Sequence, residues 1–138
     1  MRYSVDTSSL AYALVRLAAP AGAAVESSAL PDTVSHLPAV IVSASAPGPV
    51  DNDPRGGASA RFTLSFSAYA ESRSEASELC DQVYAGILAA WRDRIRTDYG
   101  WISRVLVGDV ILPQPVSSNL EADDLHRFDA VVPVIARH

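Results

Sequence analysis

A strand that leads directly into a capped amphipathic helix occupies residues 61–92, and this pair of elements constrains the fold most. Between residues 61 and 69, apolar side chains alternate with polar ones, which is the period-two pattern of a half-buried strand. Ser72 and Glu75 then have the spacing of a capping box, in which the Ser72 hydroxyl and the Glu75 carboxylate each satisfy a backbone N–H of the first helical turn. We therefore predict a strand, a tight connection and a helix.

The predicted helix has one broad apolar stripe over about five turns, because its apolar residues recur at intervals of three and four. We expect Leu79, Val83 and Ile87 to be buried together against Phe66 of the preceding strand. Cys80 lies on the same stripe, so we interpret it as a small core side chain and not as a reactive thiol. The whole stripe consists of Ala76, Leu79, Cys80, Val83, Tyr84, Ile87, Leu88 and Trp91.

Composition indicates one ordinary folded domain and excludes several kinds of site. The 138 residues suffice for a buried core, and 49% of them are hydrophobic and 20% charged. All 11 basic residues are arginines, which excludes a Schiff-base or P-loop lysine, and a single cysteine excludes an internal disulfide. The net charge of −5 argues against tight nucleic-acid binding, although it allows a ring through which DNA passes without being held.

Two elements are predicted before the central pair. Residues 7–18 have the pattern of a first helix, and residues 39–44 that of a strand. The stretch between them is interpreted as a loop with room for a short strand near residues 23–26. The candidate caps of the first helix are Thr7, Ser8 and Ser9 at its start, with Pro20 and Gly22 beyond its end.

Two strands are predicted after the long helix. Residues 102–112 form a mostly apolar strand with Gly108 at a bulge or bend, and residues 127–136 form the last strand. Pro133 in the last strand favours an edge position or a bulge, because proline cannot donate to a sheet ladder. The order α-β-β-α-β-β predicts an α+β domain with two layers. Its mainly antiparallel sheet would have about four strands, with two helices on one face.

The segment 47–59 is predicted to be a flexible loop. It contains three prolines and three glycines, and at about 13 residues it is longer than an ordinary hairpin loop. Its charged residues Asp51, Asp53 and Arg55 are candidates for contact with a partner. They do not form a calcium loop, because the ligand spacing fails after the first two acids.

The best enzyme-like cluster is Asp123 and Asp124 with His126. Two carboxylates and an imidazole can hold a metal or transfer protons, but these residues have no metal-ligand spacing and precede a strand. We interpret them as a solvated turn, and predict no catalytic site, metal site or cofactor. For a second group, Arg92, Arg94 and Arg96, phosphate contact is the alternative, but the interleaved Asp93 and Asp98 favour a salt-bridged helix end. Trp101 is interpreted as either a core or an interface residue.

Taken together, these segments resemble a known family. The strand Leu-Pro-Ala-Val-Ile-Val at 37–42, the strand and helix start at 61–79, and Arg-Phe-Asp-Ala-Val-Val-Pro-Val at 127–134 carry the resemblance. They are similar to the tail terminator (tail completion) proteins of long-tailed bacteriophages, of the type found with actinobacterial hosts. The resemblance covers most of residues 1–138, which would form a single domain.

The resemblance implies a non-enzymatic virion protein made in the host cytoplasm. It would form a hexameric ring that caps the tail tube and joins it to the head–neck connector, with the tail tube protein and the connector protein as partners. DNA would pass through the lumen without specific binding, and no membrane would be involved. The alternatives are another head–tail connector, neck or tail-tube subunit, or a small α+β ligand-binding domain or enzyme for which residues 113–126 would line a pocket.

The polar side of the second predicted strand is our candidate for the surface that faces the lumen or a neighbouring subunit. A strand in a two-layer domain turns one side to the core, so its other side is available for contact. This surface consists of Arg61, Thr63, Ser65, Ser67 and Tyr69.

Overall fold

The computed structural model describes residues 5–27, 37–48, 50, 59–116 and 125–138. Within these ranges the chain forms two α-helices and six β-strands, so the expected α+β class is confirmed and the expected count of about four strands is too low. The elements are α1 (Thr7–Ala18), β1 (Ala24–Glu26), β2 (Ala39–Ala44), β3 (Ser59–Ala70), α2 (Arg73–Arg92), β4 (Trp101–Val105), β5 (Ile111–Pro115) and β6 (His126–Arg137).

All six strands belong to one sheet, in the order β1-β2-β3-β6-β4, with β5 also paired to β6. The centre is a long antiparallel ladder between β3 and β6, which runs from the pair Ser59 and Arg137 to the pair Ala70 and His126. The β1–β2 pair is parallel and the other pairs are antiparallel. Because β4 and β5 both lie beside β6, they share one edge of the sheet, and the short β1 forms the other.

The two additional strands have different origins. Strand β1 is the short strand for which residues 23–26 left room. Strands β4 and β5 divide the segment that was expected to be one strand at 102–112, because a 3-10 turn at Val107–Asp109 separates them. Gly108 lies inside this turn, so the expected bend is present and the continuous strand is wrong.

The caps of the two helices agree only partly with the sequence prediction. Asp6 caps α1, in place of Thr7, Ser8 or Ser9, and its carboxylate accepts hydrogen bonds from the backbone and hydroxyl of Ser9 at 3.1 and 2.8 Å. These bonds lower the pKa of Asp6. At α2, Ser72 Oγ accepts from the backbone N–H of Glu75 at 3.2 Å, as predicted. The Glu75 carboxylate accepts from the Ser72 hydroxyl at 3.0 Å and not from a backbone N–H.

The core is one cluster between the helices and one face of the sheet. Leu79, Val83, Ile87 and Phe66 are all buried in it, which confirms the predicted apolar stripe. Both helices contact each other and the sheet, and their buried residues join the same cluster. Therefore α1 and α2 cover the same face of the sheet.

Cys80 lies in this core and has no exposed surface. The pKa of its thiol is raised to about 12, mainly by burial and to a smaller extent by the nearby carboxylates of Asp81 and Asp129. The thiol is therefore protonated at neutral pH, which agrees with the prediction of a core side chain.

Among the residues that the structure describes, no helix is both long enough and apolar enough to span a membrane.

Candidate interaction surfaces

The structure places Arg61, Thr63, Ser65, Ser67 and Tyr69 together on the face of the sheet that is opposite the helices. Their neighbours in β3 point into the core, since Phe62, Leu64, Phe66, Ala68 and Ala70 are buried. Arg61 is exposed, whereas the other four predicted residues are half-buried. We call this side of the sheet the second face.

Strand β6 supplies the other half of the second face. Its residues opposite β3 are largely apolar in the middle, where Val131 pairs with Ser65, Pro133 with Thr63 and Ile135 with Arg61. The second face is thus mixed in character, and in its apolar centre Pro133 is buried while Val131 and Ile135 are half-buried. Alternation along the last predicted strand is the signal in the sequence that identifies these outward residues.

One end of the second face is fixed by an ion pair. The Arg127 guanidinium donates two hydrogen bonds to the carboxylate of Asp129, each at 2.8 Å, and it also lies 5.7 Å from the centre of the Tyr69 ring. The hydrogen bonds to Asp129 raise the pKa of Arg127. A bidentate pair of this kind fixes the two side chains relative to each other.

The opposite end of the second face carries arginines and a tryptophan. In the sheet register, Arg61 of β3 and Arg104 of β4 lie on either side of Ile135, and Arg137 of β6 is paired with Trp101 of β4. All three arginines are exposed, and Trp101 is half-buried. This clustering was missed in the sequence analysis, because residues 61, 104 and 137 become neighbours only through strand pairing.

The predicted salt-bridged helix end is only partly correct. Arg92 forms an ion pair with Asp93 at 3.0 Å, but Arg94 and Arg96 lie over the Trp101 ring, at 5.5 and 4.5 Å from its centre. Trp101 is therefore a support for two arginines and not a core residue. Trp91 is half-buried, and its indole N–H donates to the backbone carbonyl of Ser103 at 3.3 Å.

The connection between β4 and β5 presents apolar side chains to solvent. Val107, Ile111 and Leu112 are 67%, 44% and 62% exposed. These three residues, which we call the apolar edge patch, lie at the sheet edge formed by β4 and β5. Pro113 and Pro115 in β5 limit pairing with a further strand, so side chains are better placed than backbone groups to make a contact here.

Several predicted site residues lie outside the described part of the chain. These include the candidate partner-contacting residues Asp51, Asp53 and Arg55, and the acids Asp123 and Asp124. His126 is half-buried at the start of β6, opposite Ala70. Within the described ranges, no group of three or more histidine, cysteine, aspartate or glutamate residues is placed to hold a metal ion.

Two surface clefts bear on the ligand-binding alternative. An open cleft of about 500 Å³ lies between α1, β1 and Tyr99, and a groove of about 420 Å³ lies between α1 and α2. Ser8, Tyr12 and Glu26 line the first cleft, and Leu17 and Ile95 line the second. The ligand-binding alternative required residues 113–126 to line a pocket, and the described residues of that segment line neither cleft.

Comparison with known proteins gives little that is specific. No protein-family model matches the sequence, and no curated protein matches it. Among solved structures, the chain is similar to one in the virion of a native gene transfer agent (GTA) particle, with 16% sequence identity and a TM-score of 0.40. The match covers 94% of this chain and 85% of the other. A likeness at this identity and TM-score does not assign a function, so the function has to be argued from the surfaces described above.

Proposed function

We propose that this chain is a structural virion protein that assembles into a closed ring, which caps the tail tube of a phage and joins the tail to the head–neck connector. The observation that carries the proposal is the apolar edge patch at one edge of the sheet. Val107 and Leu112 are each more than 60% exposed, so in a lone subunit their apolar side chains are in contact with water. A contact that covers them with a neighbouring subunit removes this apolar surface from solvent.

The sheet has two unlike edges, and this supports a ring in preference to a simple pair of subunits. One edge carries β4, β5 and the apolar edge patch, and the other carries the three-residue strand β1. A contact between unlike surfaces is heterologous, and its repetition around an axis closes into a ring. The resemblance to tail terminator proteins supplies the number six and the partners, which are the tail tube protein and the head–tail connector protein.

In this proposal the second face is turned towards the lumen or a neighbouring subunit, and DNA passes through the lumen without sequence-specific binding. The protein has no catalytic role and requires no cofactor. Its location is the tail or neck of the virion. Another connector or tail-tube subunit would share the ring symmetry but occupy a different position along the particle.

Native mass spectrometry of the purified protein is the direct test. A hexamer of the 14.7 kDa chain has a mass of about 88 kDa, and we expect this species to dominate at micromolar concentration. Electron microscopy of assembled tails would then locate the ring. A monomer at the tail end, or a second face that points to bulk solvent on the outside of the particle, would contradict the proposal.

The absence of catalysis is tested separately. Simultaneous alanine substitution of Asp123, Asp124 and His126 should leave the mass of the assembly unchanged. If the substitution removed a bound metal or a measurable turnover, the protein would be an enzyme or a metal-binding domain, and the structural role would be wrong.

A further inference from the structure

Five exposed arginines and one tryptophan form a cluster at one end of the second face, which we call the arginine cluster: Arg61, Arg94, Arg96, Trp101, Arg104 and Arg137. Arg61 and Arg104 lie in one row across the sheet, two strands apart, which corresponds to roughly 10 Å. Arg137 lies two residues beyond Ile135 in β6, so its Cα is roughly 7 Å from that of Ile135 along the strand. The chain has a net charge of −5, yet five of its 11 basic residues are at this end.

Trp101 organises two of these arginines. The guanidinium carbons of Arg94 and Arg96 lie 5.5 and 4.5 Å from the centre of its ring. Cation–π attraction of this kind orients a guanidinium group without neutralising its charge. The two groups therefore stay charged and keep N–H donors available for an external anion.

In the part of the chain that the structure describes, no carboxylate forms an ion pair with an arginine of the cluster. The ion pairs found there are Arg92 with Asp93 and Arg127 with Asp129, and both lie outside the cluster. Concentrated arginine charge favours an anionic partner, because like charges held close together repel one another.

We propose that the arginine cluster binds the phosphate backbone of duplex DNA, without base recognition. Arginine is suited to phosphate because its planar guanidinium donates two parallel hydrogen bonds. Trp101 is half-buried beneath Arg94 and Arg96, so its ring is not free to stack on an unpaired base, which disfavours single strands. The inference rests on the proposed function, in which DNA passes through the ring, and it makes this end of the second face a positively charged part of the lumen.

The test compares two double variants with the same change in charge. Arg61→Gln/Arg104→Gln removes two exposed arginines of the cluster, and Arg16→Gln/Arg73→Gln removes two from α1 and α2, on the other side of the sheet. Fluorescence anisotropy with a fluorescein-labelled DNA duplex measures affinity over a series of salt concentrations. We expect the cluster variant to lose roughly tenfold in affinity and its salt slope to become shallower by roughly two, with little change in the control.

Three results would overturn the inference: no DNA binding by the assembled protein at low salt, an equal loss in the control variant, or tighter binding of a polyglutamate peptide than of DNA. The last result would identify an acidic protein partner. Native mass spectrometry of the same samples separates this inference from the ring. A ring that does not bind DNA refutes only the inference, and DNA binding by a protein that forms no ring refutes only the proposed assembly.

Discussion

The backbone N–H of Leu106 donates to the carbonyl oxygen of Pro133 at 2.9 Å, at the point where the strand beside β6 is interrupted. Strand β4 ends opposite Val134, and β5 begins opposite Val131. Pro133 has no N–H and would leave an acceptor of a continuous neighbouring strand without a donor. The interruption therefore accommodates a proline in a central strand. Pro133 is not at a sheet edge, as one of the two expectations had it, but opposite an irregularity in the ladder.

Replacement of Pro133 by alanine should be tolerated. We expect a loss of about 1–3 kcal/mol in the free energy of unfolding, because the unfolded chain gains freedom and the buried ring of Pro133 loses packed methylene groups, while no native hydrogen bond is lost. Val132→Pro should be far more damaging, since the backbone of Val132 faces β3 and would lose a ladder bond opposite Leu64. Urea unfolding measures both variants. Equal effects would show that the two sides of β6 are not distinguished in this way.

Truncation of buried side chains in the apolar stripe of α2 should destabilise the fold strongly. Leu79→Ala and Ile87→Ala each remove buried side-chain volume and leave a cavity, at a cost of about 2–5 kcal/mol. The matched control is Leu17→Ala on α1, where the side chain is 67% exposed and the expected change is within about 0.5 kcal/mol. A cost below about 1 kcal/mol at Ile87 would mean that the core is not closed around α2.

Gly86 allows α1 and α2 to approach closely. A Cβ atom at Gly86 would collide with the Cβ of Ala18, and its Cα is also at contact distance. Gly86→Ala should therefore destabilise the protein by about 1–3 kcal/mol through overpacking, although alanine is the better helix former by about 1 kcal/mol. Gly22→Ala is the control, because a Cβ there meets nothing within 4 Å. Adding Ala18→Gly to the Gly86 variant should restore part of the loss, and failure to do so would place the strain elsewhere.

Cys80 should be unreactive in the folded protein. Because burial raises the pKa of the thiol to about 12, it remains protonated at pH 8–9, whereas an unfolded cysteine with a pKa near about 8.5 ionises there. The unfolded state thus loses its proton first, so stability should fall as pH rises above about 8.5, and less steeply in a Cys80→Ala variant. The measurements are the rate of reaction with DTNB, with and without denaturant, and urea unfolding across this pH range. Rapid labelling of the native protein would show that the α2 stripe opens.

The apolar edge patch should control assembly and not folding. Leu112→Ser removes an apolar side chain that is 62% exposed, so the stability of the subunit should change by less than about 0.5 kcal/mol. If the apolar edge patch is covered by a neighbour in the ring, the same substitution should shift the mass distribution towards monomer, because the contact loses buried apolar area. Leu17→Ser, on the exposed side of α1, serves as the control in native mass spectrometry. An unchanged distribution for both variants would place the subunit contact elsewhere.

Local chemistry alone determined the strand and helix at residues 59–92. The Ser72 cap, the alternation along β3 and the stripe around Val83 depend on contacts or spacings of at most four residues, so they can be recognised in the sequence. The cap of α1 was harder to predict because four neighbouring residues had suitable side chains. The Thr7 hydroxyl instead donates to the distant backbone carbonyl of Ser45 at 2.9 Å, and the Ser9 hydroxyl donates to the Asp6 carboxylate. Asp6 is the residue that caps the helix.

The tertiary structure decided the features that depend on residues far apart in the chain. The break between β4 and β5 lies opposite Pro133, more than 20 residues away, so residues 102–112 indicated a bend at Gly108 but not that the strand divides in two. The same holds for the arginine cluster. Arg61, Arg104 and Arg137 are isolated in the sequence, and only the register of β3, β6 and β4 makes them neighbours. Net charge is a sum over the chain and carries no positions, whereas strand pairing fixes where each charge lies, and so the cluster emerged only from the fold.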